Sequence, residues 1–590
     1  MADLAESYEG DIQSSGASDL DAMRHSLAHV MAEAVLKLFP DARLGIGPWI
    51  EHGFYYDFEL PRSLTPDDLE KVEALMRERI AAASPFERTA ISLDEARRIF
   101  HDQPFKLELI EGFKDQALST FQHAAFVDLC RGPHVADTGK IGAFKLLSVA
   151  GAYWRGDEHR PMLQRIYGAA FNTQEELDAH LHRLEQARLR DHRKLGKELR
   201  LFTFSEHIGP GLPLFLPRGE MLRHLMEGYV REAQTRYGYQ HVWTGHMVKR
   251  ELYARSGHLE HYGDVMFPPM VDGDQAFMLK PMNCPSHMTL FNTEMHSYRD
   301  LPVRYAEFCT LYRYERSGEL SGLTRVRSLT QDDCHIFCTP EQVGEEFGRA
   351  LDLIREVLDT YGFTDYRVQL SLRDPSGGKF VDDAEKWTLA ETALRQALDA
   401  KGVKYTPVTG EAAFYGPKAD FMARDVLGRE WQLSTIQVDF IQPARLGVEY
   451  IGEDGKTHTP VVLHRAVTGS TERFMGVVIE HFGGAFPLWL SPVQALVLPI
   501  ADRHNAYAAE IADRFKAAGL RAEVDGRSER LQYKIREAQM QKTPYMLIVG
   551  DNEAANNTAS VRDRAGAKRD AAPLDTLIGE LVDLSVRRAL

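Results

Sequence analysis

The sequence predicts a multidomain α+β protein, and three observations support this fold class. A chain of 590 residues is too long for one hydrophobic core, so about three or four domains are expected. From 200 to 490, short strands rich in aromatic and β-branched residues alternate with helices, which predicts an antiparallel sheet with helices packed on it. From 491 to 590 the strands and helices alternate one by one, which predicts a small α/β domain with a mostly parallel sheet.

The composition favours a globular protein of a reducing compartment. The hydrophobic fraction of 44% and the charged fraction of 26% are ordinary, and no apolar run approaches the ~20 residues that span a bilayer. The acidic start "MADLAESYEGDIQSSG" lacks the basic and apolar regions of a signal peptide. We therefore expect a cytoplasmic protein whose residues 1–21 form a disordered tail. Five cysteines are an odd, sparse set that argues against a disulfide framework.

The charge distribution does not exclude a nucleic-acid partner. The net charge is −16, which is not typical of a nucleic-acid-binding protein. Residues 491–590, however, contain 15 Lys and Arg against 14 Asp and Glu, a balance of +1. A polyanion could bind this near-neutral part through local basic patches such as "RSERLQYKIREAQMQK".

The first third of the chain predicts a separate α+β domain over 22–172. Residues 22–38 have the apolar spacing of an amphipathic helix, and "GIGPWIEHGFYYDF" predicts strands and turns. The segment "SLTPDDLEKVEALMRERIAAA" predicts a helix with a Ser or Thr cap and a proline in its first turn. Residues 173–199 are strongly charged and predict one connecting helix to the next domain.

This first domain contains a possible metal-ligand set. His25 and His29 are four residues apart on the predicted helix, so they share one face. Cys130 and His134 have the same spacing in "VDLCRGPH". From the residues alone, a zinc site is the first hypothesis, and a packed polar cluster is the alternative.

The central domain contains two segments that predict a site. In 311–337, a strand with Arg313 and Glu315 leads into a Gly/Ser loop and a second strand that begins near Arg325. Paired arginines at a sheet edge can bind phosphate bidentately, although a charged surface hairpin is the alternative. In 463–482, His464 and Arg465 are predicted to begin a helix that contains Arg473.

Several motifs in one order resemble a known family. "RYERSGELSGLTRVRS" resembles motif 2 of the class II aminoacyl-tRNA synthetases, and "GSTERFMGVVIEHFGGAFPLWLSPVQ" resembles their motif 3. "MNCPSHM", "TQDDCHIFC", "AAFYGPK" and "LHRAVTGSTERF" resemble the threonyl-tRNA synthetases in particular. The resemblance covers roughly 22–590 and rests on independent motifs, which makes it more specific than a single match.

The resemblance implies the domains and the reaction. It implies an editing domain at 22–172, a class II catalytic domain at 200–490 and an anticodon-binding domain at 491–590. The reaction would join L-threonine to its tRNA through threonyl-adenylate, with ATP and Mg²⁺. Class II enzymes of this kind are homodimers, so a homodimer without a membrane partner is expected.

The resemblance also explains the lone cysteine of "PMNCPSHM". It implies that Cys284, His335 and His464 bind one catalytic zinc, which holds the amino group and hydroxyl of threonine. Three protein ligands leave zinc an open position. A ligated hydroxyl would reject valine, which an apolar pocket separates only weakly from threonine.

Further roles are implied residue by residue. Arg313 would bind the α-phosphate, Arg473 would stack on adenine, and Arg325 would bind the β- and γ-phosphates. Glu315 would bind the adenine amino group, and Asp333 would accept from the threonine hydroxyl. The other residues assigned to the substrate pocket are Met282, Gln331, Tyr415, Lys418, Gln432, Gln437 and Ser470.

For the first domain the resemblance implies hydrolysis of seryl-tRNA. Serine keeps the hydroxyl and lacks one methyl group, worth about 1–3 kcal/mol, so zinc selection alone cannot exclude it. The implied editing residues are His25, His29, Lys106, Asp128, Cys130 and His134.

Some positions depart from the family or carry weaker expectations. Only 21 residues precede the first predicted helix, so the ubiquitin-like domain common in bacterial members is expected to be absent. Ser286 stands where glycine is usual, and Leu329 replaces a phenylalanine against adenine, which predicts weaker ATP stacking. Arg562 is a candidate anticodon reader.

Three competing functions are consistent with part of the sequence. Another class II synthetase, of the prolyl or seryl type, would not need the Cys284, His335 and His464 set. A non-catalytic RNA-binding paralogue would lack the phosphate-binding arginines, yet Arg313 and Arg473 are present. A hydrolase acting only through the editing domain would not need motifs 2 and 3.

Overall fold

The computed structural model describes residues 18–113, 116–376 and 380–590. The chain forms two compact units, Met1–Glu185 and Gln186–Leu590. Most of the predicted disordered tail, residues 1–17, lies outside the described residues. The end of that tail was predicted wrongly, because Ser18 caps the first helix and residues 19–21 belong to it. The Ser18 and Asp21 side chains form a capping box that satisfies the first backbone N–H groups.

The first unit contains helices and two antiparallel sheets, which agrees with the predicted α+β class of this part. Its helices are α1 (Asp19–Leu38), α2 (Pro66–Ala81), α3 (Leu93–Ile99), α4 (Pro104–Gly112) and α5 (Gln174–Arg190), which runs on into the second unit. Its strands are β1 (Arg43–Leu44), β2 (Trp49–Ile50), β3 (Gly53–Glu59), β4 (Glu87–Ile91), β5 (Leu118–His123), β6 (Phe126–Leu129), β7 (Ala143–Tyr153) and β8 (Met162–Phe171).

The core of the first unit lies between α1 and the larger sheet. That sheet has the order β1-β3-β8-β7 with β2 paired to β3, and the smaller sheet has the order β4-β5-β6. Helix α1 buries nearly its whole length, including both predicted site histidines. Thr65 caps α2 and Pro66 begins it, which confirms the predicted capped start.

The second unit begins with the rest of the connector. The predicted single helix over 173–199 was wrong, because α5 ends at Arg190 and a new helix begins after Asp191. The Asp191 carboxylate accepts from the Arg193 N–H and so caps the new helix. The next helices are α6 (His192–Glu198), α7 (Pro217–Arg236), α8 (Arg250–Ser256), α9 (His258–Tyr262), α10 (Cys284–Phe291), α11 (Val343–Thr360), α12 (Ala384–Ala400), α13 (Gln442–Leu446) and α14 (Thr471–Phe482).

The central sheet of the second unit has eight strands, and its six middle strands are antiparallel, as predicted. Its order is β11-β15-β16-β23-β20-β19-β17-β18. These strands are β11 (Gln240–His241), β15 (Val303–Tyr312), β16 (Ser328–Cys338), β17 (Tyr366–Leu372), β18 (Tyr405–Thr409), β19 (Lys418–Arg424), β20 (Glu430–Asp439) and β23 (Val461–Ser470). Three small sheets complete this part, from β9 (Phe202–Thr203), β10 (Leu214–Phe215), β12 (Met247–Lys249), β13 (Met270–Asp272), β14 (Gln275–Leu279), β21 (Tyr450–Ile451) and β22 (Thr457–His458).

The C-terminal part is an α/β domain, but its sheet is not mostly parallel. The order is β25-β24-β26-β27-β28, in which the first two pairings are parallel and the last two antiparallel. The prediction missed that the strand after β26, reached through a short helix, pairs antiparallel with it, and that the last strand then follows as a hairpin. The strands are β24 (Ala495–Pro499), β25 (Ala522–Val524), β26 (Tyr545–Val549), β27 (Thr558–Asp563) and β28 (Lys568–Pro573), and the helices are α15 (Asn505–Ala517), α16 (Leu531–Met540), α17 (Asp551–Asn556) and α18 (Leu574–Val586).

Within the described ranges, none of the helices has the length and apolar character needed to cross a membrane.

Candidate active site

A cavity of about 880 Å³ opens on one face of the central sheet. Every residue that the sequence assigned to zinc or to the substrate pocket lines it. They are Met282, Cys284, Arg313, Glu315, Arg325, Gln331, Asp333, His335, Tyr415, Lys418, Gln432, Gln437, His464, Ser470 and Arg473. They come from four strands, the loop after β15, the segments before α10 and β19, and the first turns of α10 and α14, so the fold brings together positions up to 191 residues apart.

Successive side chains of strand β16 point to opposite faces of the sheet, so its polar residues lie alternately in the cavity and in the core. Gln331, Asp333 and His335 are two residues apart and all line the cavity. The intervening Asp332 is fully buried and accepts hydrogen bonds from the N–H groups of Val467 and Thr468, at 2.8 and 3.1 Å. Burial raises the pKa of Asp332 to about 7. Of the two adjacent aspartates, only Asp333 is therefore available to a ligand.

His464 lies on a strand, and its predicted place at the start of a helix was wrong. Strand β23 continues through Ser470, whose hydroxyl accepts from the Arg473 N–H at 3.1 Å and caps α14. The run "VVLHRAV" is fully buried, and its valines favour a strand packed on both faces. His464 is directly opposite His335 on the neighbouring strand β16, so the antiparallel register aligns the two imidazoles.

Cys284 completes a three-donor set with these two histidines. It is the first residue of α10, and one donor atom from each of the three residues lies within 4.8 Å of the other two. All three side chains are buried. Burial raises the pKa of the Cys284 thiol well above its usual value and lowers that of His335. Both histidines and the cysteine reach the cavity, so a metal held here would keep one side open to a ligand.

Hydrogen bonds to the outer nitrogens fix how the two imidazoles face each other. His464 Nε2 lies 3.0 Å from the Asp439 carboxylate, so Nε2–H donates and the Nδ1 lone pair is free. His287 Nε2 lies 3.1 Å from Glu307, and His287 Nδ1 lies 2.8 Å from His335 Nδ1. His335 Nε2 and His464 Nδ1 face each other at 3.0 Å. Two imidazole nitrogens at this distance, beside a thiol, fit a bound cation such as zinc.

Two arginines line the cavity without an acidic partner among the described residues. Arg313 directly follows β15, and its backbone N–H bonds to Arg327 at 2.9 Å. Arg473 lies in the first turn of α14, and its Nε is buried without a hydrogen-bond partner. Burial lowers the pKa of Arg473, which means that the site lacks the counter-charge that a buried cation requires. In contrast, Arg325 pairs with Glu315 at 2.8 Å and Glu319 at 3.3 Å.

Asp420 organises another part of the cavity and was missed by the sequence analysis. Its carboxylate pairs with Lys418 at 2.6 Å and accepts from Gln432 at 2.7 Å and from Thr435 at 2.8 Å. Asp420 is buried on β19, two residues after Lys418 on the same face. That spacing was the one available signal. Asp420 therefore sets the positions of two predicted pocket residues.

Two of the aromatic residues in the lining contact predicted pocket residues. The Tyr415 hydroxyl donates to Gln437 at 3.0 Å, which links two predicted pocket residues. Trp431, which the sequence analysis did not assign, lies 6.0 Å from the Arg473 guanidinium. Leu329 is buried beside Cys309, Leu311 and Val326 and reaches the cavity, as expected for an aliphatic residue in place of an aromatic one.

The first unit holds a second cluster, which brings together all six predicted editing residues. Donor atoms of His25, His29, Cys130 and His134 lie within 4.8 Å of one another. Cys130 Sγ is 3.4 Å from His25 Nε2 and 3.2 Å from His134 Nε2. His25 Nδ1 lies 3.2 Å from the Pro133 carbonyl, to which it donates.

Burial keeps this second cluster neutral. It lowers the pKa of His25 to about 4, and raises the pKa of the Cys130 thiol to about 12. It also lowers the pKa values of His29 and His134 well below the usual range. The thiol is thus protonated and the imidazoles are neutral at neutral pH.

A charged triad borders the second cluster. The Lys106 ammonium lies 2.6 Å from Asp128, which also accepts from the Tyr56 hydroxyl at 2.6 Å. His29 Nε2 is 3.8 Å from the same carboxylate. Tyr56 was not predicted, because a tyrosine inside an apolar strand has no distinguishing sequence signal. The triad places a fixed cation beside the four potential metal ligands.

The chain matches three families of known domains. Residues 269–482 match the class II tRNA synthetase core domain of the G, H, P, S and T enzymes. Residues 494–584 match an anticodon binding domain, and residues 118–167 match the threonyl and alanyl tRNA synthetase second additional domain. These matches fall in the central sheet, the C-terminal α/β domain and the first unit.

Two relatives that match most of this chain are both threonine–tRNA ligases. The chain is 66% identical to a threonine–tRNA ligase of Rubrobacter xylanophilus over 548 residues, which is 93% of this chain and 86% of the relative. It is 50% identical to a threonine–tRNA ligase of Thermus thermophilus over 584 residues, which is 96% of this chain and 89% of the relative. A solved RNA-binding domain of a Cryptosporidium parvum threonyl-tRNA synthetase is 39% identical, with a TM-score of 0.64, and covers 67% of this chain and 98% of that one.

Proposed function

This chain belongs to the threonyl-tRNA synthetase family, and from that premise we propose that it forms threonyl-adenylate and edits seryl-tRNA. The proposal assigns activation to the cavity on the central sheet and editing to the second histidine–cysteine cluster. The pair of unpartnered arginines, Arg313 and Arg473, carries the first assignment. Two cations without counter-ions in one cavity indicate an anionic ligand.

The proposed activation step is an in-line attack of the threonine carboxylate on the α-phosphate of ATP. Arg313 would bind the α-phosphate and stabilise the charge that develops there. Arg473 would lie against adenine, with Leu329 on the other side. Arg325 would exchange its pairing with Glu315 for the outer phosphates, which frees Glu315 to accept from the adenine amino group. Mg²⁺ would enter bound to ATP and would leave together with pyrophosphate.

The donors Cys284, His335 and His464 would hold zinc. When bound, zinc supplies a Lewis acid whose open position takes an amine and a hydroxyl. Asp333 lies with its carboxylate 4.0 Å from His335 and would accept from the threonine hydroxyl. Because this pocket is built to bond a hydroxyl, valine would leave buried polar groups unpaired and be rejected.

The remaining pocket residues would orient the substrate. Asp420 fixes Lys418 and Gln432, and Tyr415 is tied to Gln437. A threonine held this way would present its carboxylate to the α-phosphate at a defined angle, which lowers the barrier by positioning.

The second cluster would hydrolyse seryl-tRNA without a metal. Its four donors would satisfy a tetrahedral metal on their own and leave no open position. The neighbouring Lys106 ammonium also neutralises the Asp128 carboxylate, which leaves no net negative charge for a metal cation. A water positioned by His134 and Cys130 would attack the ester. The Lys106–Asp128–Tyr56 triad would lie beside the leaving group.

Two partner assignments follow from the same family membership. The C-terminal domain would bind the anticodon, and Arg562 remains the candidate reader, with a buried Nε that has no partner. A homodimer is supported by apolar side chains on and before the small sheet of β12, β13 and β14. Trp243 is 74% exposed and Val271 72%, with Met247 and Met270 beside them. Val271→Glu is expected to shift the sedimentation coefficient toward that of a monomer.

The first test is amino-acid-dependent ATP–pyrophosphate exchange. We expect exchange with threonine, weaker exchange with serine and almost none with valine, and loss of all exchange after zinc is chelated. Arg313→Lys keeps the charge but loses the bidentate fork, so it tests the arginine assignment by reducing exchange about tenfold or more. Exchange with valine equal to that with threonine would contradict the zinc assignment.

A further inference from the structure

His192 is buried where three segments of the second unit meet, outside the lining of the cavity. It begins α6 and contacts both α14 and the loop between Arg313 and Arg325. With Asp191 and Glu480 it forms another group of potential metal ligands. Its partners show what it does instead of binding a metal.

Each donor atom of this group already has a protein partner. Glu480 Oε1 accepts from His192 Nδ1–H at 2.6 Å and from the His192 backbone N–H at 3.0 Å. Glu480 Oε2 pairs with Arg429 at 2.5 Å. The remaining ring nitrogen, His192 Nε2, accepts from the Leu323 N–H at 3.0 Å. The neutral imidazole thus joins the end of α14 to the backbone of the loop.

The loop is built to approach this imidazole closely. Gly322 has φ +49°, and a Cβ there would lie 2.2 Å from His192 Nε2. Gly476 of α14 lies on the other side, where a Cβ would make only an ordinary contact, 3.6 Å from His192 Cδ2. Leu323 is fully buried in the catalytic core. Only glycine permits this contact at 322.

The contact fixes the position of Arg325. Ser321 and Arg325 exchange two backbone hydrogen bonds, at 3.2 and 3.3 Å, so 321–325 is a tight turn with Leu323 inside it. Anchoring Leu323 anchors the whole turn. The other end of the imidazole holds the helix that carries Arg473.

We infer that His192 is a positioning residue that sets the phosphate-binding loop against the helix of Arg473. The inference rests on the proposed activation function, because only that function gives Arg325 and Arg473 a shared ligand. A loop released from His192 would bind the phosphates of ATP less tightly, whereas the threonine side of the cavity would be unaffected.

Two variants of His192 separate its side-chain hydrogen bond to Glu480 from its hydrogen bond to Leu323. His192→Gln places an amide oxygen near the Nε2 position and can still accept from Leu323. His192→Asn places its amide near Nδ1, so it keeps the bond to Glu480 and loses the acceptor for Leu323. In both variants the backbone N–H of residue 192 still bonds to Glu480, so their melting temperatures should be similar.

We expect His192→Asn to raise the KM for ATP in pyrophosphate exchange about fivefold or more, with the KM for threonine unchanged. His192→Gln should stay within about twofold of the wild type. Hydrogen exchange of the Leu323 amide should accelerate at least about tenfold in His192→Asn and should not accelerate in His192→Gln. Gly322→Ala, whose methyl group would push the loop off the imidazole, should reproduce the His192→Asn result by another route.

Equal KM values for ATP in the two variants, with equal losses of melting temperature, would overturn the inference and leave His192 a stabilising residue only. Absence of threonine-dependent exchange in the wild type would refute the proposed function instead. In that event, unchanged exchange of the Leu323 amide in His192→Asn would still refute the anchoring of the loop.

Discussion

Two clusters of histidine and cysteine in one chain have similar donors and different surroundings. In both, hydrogen-bond partners behind the imidazoles orient ring nitrogens toward the cysteine. At Cys284 the buried carboxylate of Asp439 lies directly behind His464, and the carboxylate of Glu307 lies one residue further out, behind the neighbour of His335. At Cys130 the acceptors are neutral, the Pro133 carbonyl and the Ser26 hydroxyl, and the nearby Asp128 carboxylate is paired with Lys106.

From this difference we expect that donor type alone does not decide which cluster binds a metal. Carboxylates behind imidazoles raise their basicity and supply negative charge for a dication. A carboxylate that is already paired with a lysine supplies no net negative charge. The surroundings therefore favour zinc at Cys284, His335 and His464 and oppose it at the first-unit cluster, although that cluster has one more donor. We expect one zinc per chain.

The largest expected effect follows from removing the thiolate ligand. Cys284→Ala should abolish zinc retention and reduce threonine-dependent exchange at least about 1000-fold, because a Lewis acid contributes several kcal/mol to binding and charge stabilisation. Cys130→Ala is the matched control and should keep both zinc and exchange. Elemental analysis of the dialysed proteins measures the first quantity. Loss of zinc in Cys130→Ala would show that the first-unit cluster also binds metal.

The second prediction concerns hydrolysis of seryl-tRNA at the first-unit cluster. His134→Ala should slow deacylation of seryl-tRNA about 100-fold, since it removes an imidazole placed for proton transfer. Exchange with threonine should not change. Cys284→Ala should show the opposite pattern, with deacylation retained. Deacylation that is lost on chelation in the wild type would contradict a metal-free editing site.

Acid should weaken the first-unit cluster in a defined pH range. Burial holds the pKa of folded His25 at about 4, below its ordinary value of 6.5. Above 6.5 neither state is protonated, and as the pH falls from 6.5 to 4 only the unfolded chain gains the proton, so stability is lost. At pH 5 this loss is about 2 kcal/mol relative to pH 8.

His25→Asn should remove that loss, because asparagine does not titrate and its amide can still donate to Pro133. The free energy of opening of α1 is measured by hydrogen exchange at pH 5 and pH 8 in the wild type and the variant, and the change in the pH difference gives the His25 contribution. The exposed His159→Asn serves as the control and should keep the wild-type difference. An unchanged difference in His25→Asn would contradict the buried neutral imidazole.

The family resemblance predicted which residues meet, and simple periodicities account for part of both sites. Spacing of four residues places His25 and His29 on one helical face, and spacing of two places Gln331, Asp333 and His335 on one strand face. The assignment of His464 to a helix failed because a strand buried on both faces has no alternation to reveal it. The domain boundaries drawn from the sequence remain predictions.

The supporting residues could not be predicted, since they are defined only by contacts across the fold. Asp420 and Glu307 are single acids within apolar strands, and each gains its role from partners on other elements. His192 was part of a charged connector whose local pattern predicted one continuous helix. Its role depends on a glycine 130 residues later that allows the loop backbone to approach.

The smallest expected effect tests the carboxylate that distinguishes the two clusters. Asp439→Asn keeps the oxygen that accepts from the backbone at 441 and 442, so the local turn should survive. The amide nitrogen would face His464 Nε2 and favour the tautomer with the proton on Nδ1, the nitrogen that faces the proposed zinc site. The zinc dissociation constant, measured by competition with a chelator, should rise about tenfold. Ser26→Ala, the equivalent change behind His134, should leave zinc affinity unchanged, and an equal loss in both variants would mean that carboxylates are not what separates the two sites.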